Sequence, residues 1–423
     1  VSCAGEKQDN NDAKIERFTK AIKENPNDVD ACFGRAKVYF DMSEYKKAVD
    51  DCSKAIDIKS DDADAYALRA RSYNDDNDEK KALSDADKAT ALNAKLITPY
   101  LVRSEIYEAD EKFEAALKEA NKAIELDPKT ARGYDDRGLV EYDLNDFQKG
   151  ADDCTTAINL DPDGNSDYYY HRAENYFMLQ KETHAIDDLD KAISMDDNDA
   201  SYFVQRGLVY WTEAKPDTAI TDFSKAIELD PDDAPPYMYR ANAYSDKRDF
   251  KAALADANSA VQRDSRCPQC YAARALAYAN LGDFDKAKAD CDRALKIDPK
   301  SAEALEALAT TYLNGNQLDK AEATARRALA IVNDPVSCAI LARSLIKQRQ
   351  YQKAIDACET ALKQDSTLLS LHVQEARAYS KLGDLARAGK ELAKASHRDL
   401  EQLPPDEKKE INALKVAIQN STK

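Results

Sequence analysis

The sequence predicts an all-α array of helical hairpins, and three observations predict it. A pattern of apolar and small residues recurs every 34 residues along almost the whole 423-residue chain. Small residues hold fixed places in that period: numbered from Ala200, the unit 200–233 has them at positions 8, 20 and 27, here Gly207, Ala219 and Ala226. Glycine is scarce, with 11 residues, which suits helices joined by short turns and leaves little material for phosphate-cradling loops.

The unit 200–233 reads as two amphipathic helices, roughly 200–213 and 216–228, with a turn at Ala214 and Lys215. Asp230-Pro231 stops the second. In an antiparallel pair turning near positions 14 and 15, position 8 faces 20, 4 faces 24 and 11 faces 17. A small 8–20 pair lets the backbones approach, and larger residues at 4, 11, 17 and 24 fill the flanks. This period, with its Tyr, Gly or Ala, Ala, Phe and Pro at these places, resembles the tetratricopeptide repeat (TPR) family. The resemblance implies an all-α, right-handed superhelical solenoid of tetratricopeptide helix-turn-helix repeats.

Taken in order, residues 1–12 are polar and are expected to be a disordered N-terminal tether. Residues 13–28 supply a half repeat, one helix with Phe18, Ala21 and Pro26 at positions 24, 27 and 32. Eleven tetratricopeptide repeats then fill 29–400, starting at Val29, Ala63, Ile97, Ala131, Ser166, Ala200, Ala234, Pro268, Ala302, Pro335 and Leu369. Position 27 is alanine in all of them, from Ala55 to Ala395, and position 20 is alanine except at Gly150. In 401–423, Pro404-Pro405-Asp406-Glu407 marks a helix start, and Ile411, Leu414 and Ile418 make one apolar stripe. This is expected to be the C-terminal capping helix that a solenoid needs over its last apolar face.

With a formal net charge of −18, the chain is a poor general binder of nucleic acid or anionic membrane. No run of eighteen apolar residues predicts a membrane span. Residues 1–5, with Cys3 followed by a polar run, resemble the end of a bacterial lipoprotein signal, with Cys3 as the lipidated residue. On that reading the protein is exported, as a periplasmic or cell-surface lipoprotein; a cytoplasmic location is the alternative.

A second regularity belongs to this chain. Position 7 is arginine and position 23 acidic in the first eight full units: Arg35 with Asp51, Arg69 with Asp85, Arg103 with Glu119, Arg137 with Asp153, Arg172 with Asp188, Arg206 with Asp222, Arg240 with Asp256, and Arg274 with Asp290. Both are lost together in the next two, as Leu308 with Thr324 and Leu341 with Ala357. Joint loss predicts contact, an ion pair that fixes helix register within or between units.

None of the four histidines, His171, His184, His372 and His397, has a histidine or cysteine at metal-ligand spacing, so neither a metal nor a cofactor is expected. Cys32 with Cys52, and Cys338 with Cys358, occupy positions 4 and 24 of their units and face each other. They are core thiols in a reducing compartment and possible disulfides outside it. Cys267 and Cys270 form a CxxC motif at a helix start, read as a local disulfide; a thiol–disulfide redox protein is the rival function.

In the family, positions 2, 5, 6, 9, 12 and 13 of each first helix line the concave groove, where ligands bind. The resemblance therefore implies three zones. Asp30, Asp41, Asp64, Asp75, Glu105 and Glu108 stand near the start. Leu139, Tyr142, Tyr170, Phe177, Met178, Val204, Leu208, Trp211, Met238 and Tyr239 occupy the middle, and Arg343, Lys347, Arg377 and Lys381 the far end. Residues 335–423 carry 15 basic against 11 acidic side chains, which predicts that an acidic stretch of the partner lies at that end. The expected function is a non-catalytic scaffold holding a protein or peptide in the groove. A structural subunit bound through convex or end surfaces is the other alternative; the sequence leaves the oligomeric state open.

Overall fold

A computed structural model of the chain describes residues 2–332, 334–364, 369–395, 400, 403 and 405–421, with side chains from Asn10 onward apart from those of Leu369 and Ser421. Cys3's side chain, Pro404 and His397 fall outside what is described. The described residues are all-helical, without strands, in two units, Val1–Asp197 and Asn198–Lys423. The first unit has α1 (Ser2–Glu24) and five hairpins: α2 (Val29–Asp41) with α3 (Tyr45–Ile58), α4 (Ala63–Asp75) with α5 (Glu79–Leu92), α6 (Thr98–Ala109) with α7 (Phe113–Leu126), α8 (Ala131–Asp143) with α9 (Phe147–Leu160), and α10 (Asp167–Met178) with α11 (Glu182–Met195). Six more form the second: α12 (Ala200–Thr212) with α13 (Pro216–Leu229), α14 (Pro235–Asp246) with α15 (Phe250–Arg263), α16 (Pro268–Leu281) with α17 (Phe284–Ile297), α18 (Ala302–Asn314) with α19 (Leu318–Leu329), α20 (Pro335–Lys347) with α21 (Tyr351–Gln364), and α22 (Leu369–Lys381) with α23 (Leu385–Lys394). A last helix, α24 (Pro405–Ser421), follows.

Residues 1–12, expected as a tether, run as helix from Ser2. The stretch has no proline, and its Ala, Glu, Lys and Gln residues prolong the half-repeat helix toward the N-terminus. First helices start where a side chain caps them: Asp28, Asp62, Thr130, Asp199, Ser301 and Asp334 each accept a backbone N–H two or three residues on. They stop at one left-handed residue per hairpin, Ser43, Asn77, Glu111, Asn145, Gln180, Ala214, Arg248, Asn316 and Arg349, with glycine doing the same at 282 and 383. At Ala214 the N–H donates to the Trp211 carbonyl and the next N–H, of Lys215, to that of Tyr210, a closure that satisfies two orphan carbonyls.

Within each unit, successive first helices touch one another, α2 with α4, α4 with α6, α6 with α8 and α8 with α10, then α12 with α14 and so on to α20 with α22. Successive second helices make no comparable contact among the described residues. First helices therefore form the inner layer. The small position 8 meets more than position 20: a Cβ on Gly207 would lie 2.6 Å from the Phe223 ring, and one on Gly138 2.9 Å from Cys154 Sγ and 3.1 Å from the Gly150 carbonyl. Positions 20 and 24 both press on it.

The arginines contact their predicted partners and something further. Nε of Arg35, Arg69, Arg172, Arg206, Arg240 and Arg274 lies 2.6–2.9 Å from one oxygen of Asp51, Asp85, Asp188, Asp222, Asp256 and Asp290, and Nη2 2.6–2.9 Å from the other. Arg137 grips Asp153 alike at 2.5 and 2.8 Å, and Arg103 holds Glu119 at 2.7 Å. The fork geometry suits guanidinium and carboxylate alone. The remaining nitrogen, Nη1, reaches back to position 25 of the preceding hairpin: to Thr19, Ser53, Asn121, Thr155, Ser224 and Asn258 at 2.7–3.3 Å. Each of these arginines thus ties its own hairpin together and ties it to the one before. Where the pair is lost, Leu308 and Leu341 are buried instead.

Candidate partner-binding face

The inner layer of the N-terminal unit carries acidic and aromatic side chains together. Asp30, Asp41 and Asp64 are exposed, while Asp75, Glu105 and Glu108 are half-buried. Glu105 is fully engaged: Arg71 lies at 2.7 Å, Arg132 at 2.8 Å and the Asn74 amide at 2.9 Å. Glu108 has the opposite environment. Burial, and then the neighbouring Asp143 carboxylate, push it up to about 7. Asp136 is 6% exposed with no hydrogen-bond partner for Oδ2, and burial and Glu105 raise it well above the carboxylate range. Burial likewise raises Glu174.

His171 Nδ1 lies 3.0 Å from Asp135 Oδ1. Burial opposes its charge, but Asp135 prevails and raises the imidazole to about 9. Arg71, Arg132, Asp135, Asp136, Asp143 and Glu174 were not singled out from the sequence, and His171 was weighed only as a metal ligand. All seven occupy the inner positions of the period that selected Glu105 and Glu108, so the repeat phase was the available signal.

Among these charges, Leu139, Tyr142, Tyr170 and Phe177 are half-buried and Met178 is 44% exposed. Tyr142 sits edge-on to Phe147 with centroids 5.5 Å apart, and Tyr170 packs on the His171 ring at 5.5 Å. Nearer the start, a recess of about 360 Å³ opens between Phe33, Phe40, Leu68, Leu101, Arg71 and Arg132.

In the C-terminal unit the expected anchors divide differently. Val204, Leu208 and Trp211 are half-buried. Leu208 and Trp211 pack with Ile220 and Tyr239 around Ala219, Phe223 and Ala243, and Trp211 Nε1 donates to Asp246 at 2.7 Å. Tyr239 stacks on Phe223. Met238 is 9% exposed and belongs to the core with Ala257 and Cys270, because α14 lies against α16 at this point. It is a packing residue rather than an open anchor.

The basic end is occupied by the chain itself. Arg343 Nε donates to Glu407 at 2.6 Å, and Arg377 contacts Glu407 and Glu410, each at 2.8 Å. Lys381 pairs with Glu410 at 2.5 Å, leaving Lys347 exposed. Ile411 and Leu414 bury α24 in the terminal core, and Glu407, 1% exposed, is carried in between the two arginines. The expectation that a partner's acidic stretch finds these cations open is therefore corrected: α24 supplies the acid.

Of the six candidate disulfide cysteines, Cys267 and Cys270 are bonded to each other at the start of α16. Cys32, Cys52, Cys338 and Cys358 are buried free thiols. Burial pushes Cys52 up to about 12, which keeps it protonated and unreactive. Cys338 and Cys358 do face each other, in hydrogen-bond contact as thiols.

Paired helices with small interlocking positions, first helices in an inner layer and a terminal helix packed on the last hairpins define a helical-repeat protein. Tetratricopeptide repeat models match residues 29–62, 97–130 and 200–233, and a second such model matches 238–302 and 341–397, together just over half of the chain. A model for anaphase-promoting complex, cyclosome, subunit 3, matches 283–361. The chain belongs to the tetratricopeptide repeat family. Among solved structures it is similar to the APC/C hetero-tetramer Cut9-Hcn1, at 16% identity over 95% of this chain and 93% of that one, with a TM-score of 0.49. Yeast Tom70 is similar at 18% identity over 91% and 93%, with a TM-score of 0.45. A tetratricopeptide repeat protein from Parabacteroides merdae matches at 17% identity over 59% and 98%, with a TM-score of 0.49. No curated protein matches the chain.

Proposed function

We propose that the chain is a non-catalytic protein-interaction scaffold that holds a basic peptide segment of its partner against the inner helices of the N-terminal unit. The observation that carries this is that Tyr142, Phe177 and Met178 share the inner helices with Glu108 and Asp143, carboxylates with no lysine or arginine within ion-pair distance among the described residues. Aromatic and methionine side chains are the usual anchors of an interface. Unbalanced carboxylates select lysine and arginine and hasten their approach. The alternative polarity, an acidic partner on Arg343, Arg377 and Lys381, would have to displace Glu407 and Glu410.

Peptide display against the intact chain tests the reading. Selected peptides should be rich in lysine and arginine, and Tyr142→Ala with Phe177→Ala should cost them about 2 kcal/mol of binding. Truncating Leu92 and Leu160 on second helices, 37% and 38% exposed, should cost nothing. Equal losses from the two pairs would move the site off the inner layer. We further propose, from the residues around Cys3, an exported lipid-anchored protein; mass analysis of protein from its native membrane fraction would find the lipid on Cys3 or refute it. Among the described residues no helix is long and apolar enough to cross a membrane.

A further inference from the structure

The arginine ladder has one more rung, and it is inverted. In the eleventh hairpin position 7 is Glu375, position 23 is Glu391 and position 4 is His372; position 25 of the tenth is Glu359. In earlier hairpins these four places hold the arginine, its carboxylate partner, the ring under the guanidinium and the polar group that Nη1 reaches. Guanidinium carbons there lie 4.8–5.8 Å over the rings of Tyr66, Tyr100, Tyr134, Tyr169, Phe203, Tyr237 and Tyr271. The last rung keeps the partner carboxylate, sets an imidazole in the ring's place and a glutamate in the polar group's, and replaces the cation with a third carboxylate.

The three nearest groups converge. His372 Nδ1 lies 2.8 Å from Glu391 Oε2 and 3.2 Å from Glu375 Oε2, and one ligand atom from each residue falls within 4.8 Å of the others. His372 is 8% and Glu375 3% exposed. Lys394 pairs with Glu391 at 2.8 Å from a side chain that is 53% exposed. Glu375 has no lysine or arginine within ion-pair distance among the described residues; the groups it meets are His372 and the Glu391 carboxylate. A carboxylate this buried needs a cation or a proton.

We propose that His372, Glu375 and Glu391 bind a divalent transition-metal ion, zinc, in the place where earlier hairpins hold a guanidinium, the two carboxylates balancing its charge. Imidazole nitrogen with carboxylate oxygens suits zinc, whereas calcium and magnesium favour all-oxygen sites. Zinc bonds of about 2.0–2.1 Å put tetrahedral ligand atoms about 3.3 Å apart, so the three groups need only separate by a few tenths of an ångström. Spacing along the chain does not reveal the site because two of its ligands are glutamates brought together by the repeat phase.

The test uses the full chain, stripped with a chelator and titrated with zinc chloride by calorimetry, with thermal melts alongside. One equivalent should bind and raise Tm. Glu375→Arg with His372→Tyr rebuilds the ordinary rung: its metal-free form should melt at or above the parent, and zinc affinity should fall at least a hundredfold. Glu375→Gln, nearly isosteric, should lose affinity too. Cys338→Ala with Cys358→Ala should bind as the parent does, and cobalt loading should give no thiolate charge-transfer band. Absence of stoichiometric zinc uptake by the parent, unchanged uptake in the rebuilt-rung variant, or loss of uptake in the double-alanine variant would each overturn the proposal.

Discussion

Replacing Arg137 with leucine would strand Asp153 in a place built for a cation. Asp153's side chain is 12% exposed and Arg137's 24%, with bonds of 2.5 and 2.8 Å between them and a third, from Nη1 to Asn121, at 2.7 Å. Removing one partner of a buried pair costs about 3–5 kcal/mol, and the partial exposure puts this case at about 3. Adding Asp153→Ala removes the stranded charge and copies the chain's own apolar rung, Leu341 with Ala357. The double variant then loses mainly the link to Asn121, about 1 kcal/mol. The double variant is thus about 2 kcal/mol more stable than Arg137→Leu alone, and the coupling energy exceeds this by whatever Asp153→Ala alone costs. Long repeat arrays need not unfold in two states, so hydrogen exchange of α8 and α9 amides should accompany urea melts followed by circular dichroism. Additive losses would show that the ladder contributes no pairwise stability and that its arginines are there for something else.

Two other outcomes follow from local geometry. Ala214 sits at φ 62°, a left-handed conformation that costs a residue with a Cβ about 1–2 kcal/mol; after the entropy that glycine loses on folding, Ala214→Gly should gain about 0.5–1 kcal/mol in a thermal melt. His171 rises from 6.5 unfolded to about 9 folded, so its pairing with Asp135 stabilises fully below the lower value and is lost as pH climbs through 9. An NMR titration should place the ring there, and His171→Gln should flatten the fall in Tm between neutral pH and about 9.

The hairpins were legible because their constraint is steric and local: an alanine or glycine at positions 8, 20 and 27 leaves few other packings. The joint loss of Arg and Asp at Leu308 and Leu341 likewise exposed the ion pair. Its second function was hidden, since the group that Nη1 reaches is serine, threonine or asparagine, polar types that draw no notice on a helix surface. The hairpin turn was placed correctly at Ala214, yet the left-handed residue was invisible: the same pair of backbone bonds imposes it on serine, glutamate or arginine in other hairpins despite the cost to a residue with a Cβ. In the groove, side-chain type could not separate Met178 from Met238, because exposure there is decided by how closely the next inner helix lies. The basic end was misjudged because Glu407 and Glu410 lie outside the repeat, 64 and 33 residues from the arginines they meet.

Glu407 also means that the protein's boundary is part of its specificity. A fragment ending before Pro405 would keep all eleven hairpins but release Arg343 and Arg377 into an open inner layer, together with the apolar surface that Ile411 and Leu414 cover. Such a fragment would pick acidic, amphipathic ligands out of any mixture, and would do so reproducibly. Those ligands would be mimics of α24, selected by a surface that the intact chain keeps closed.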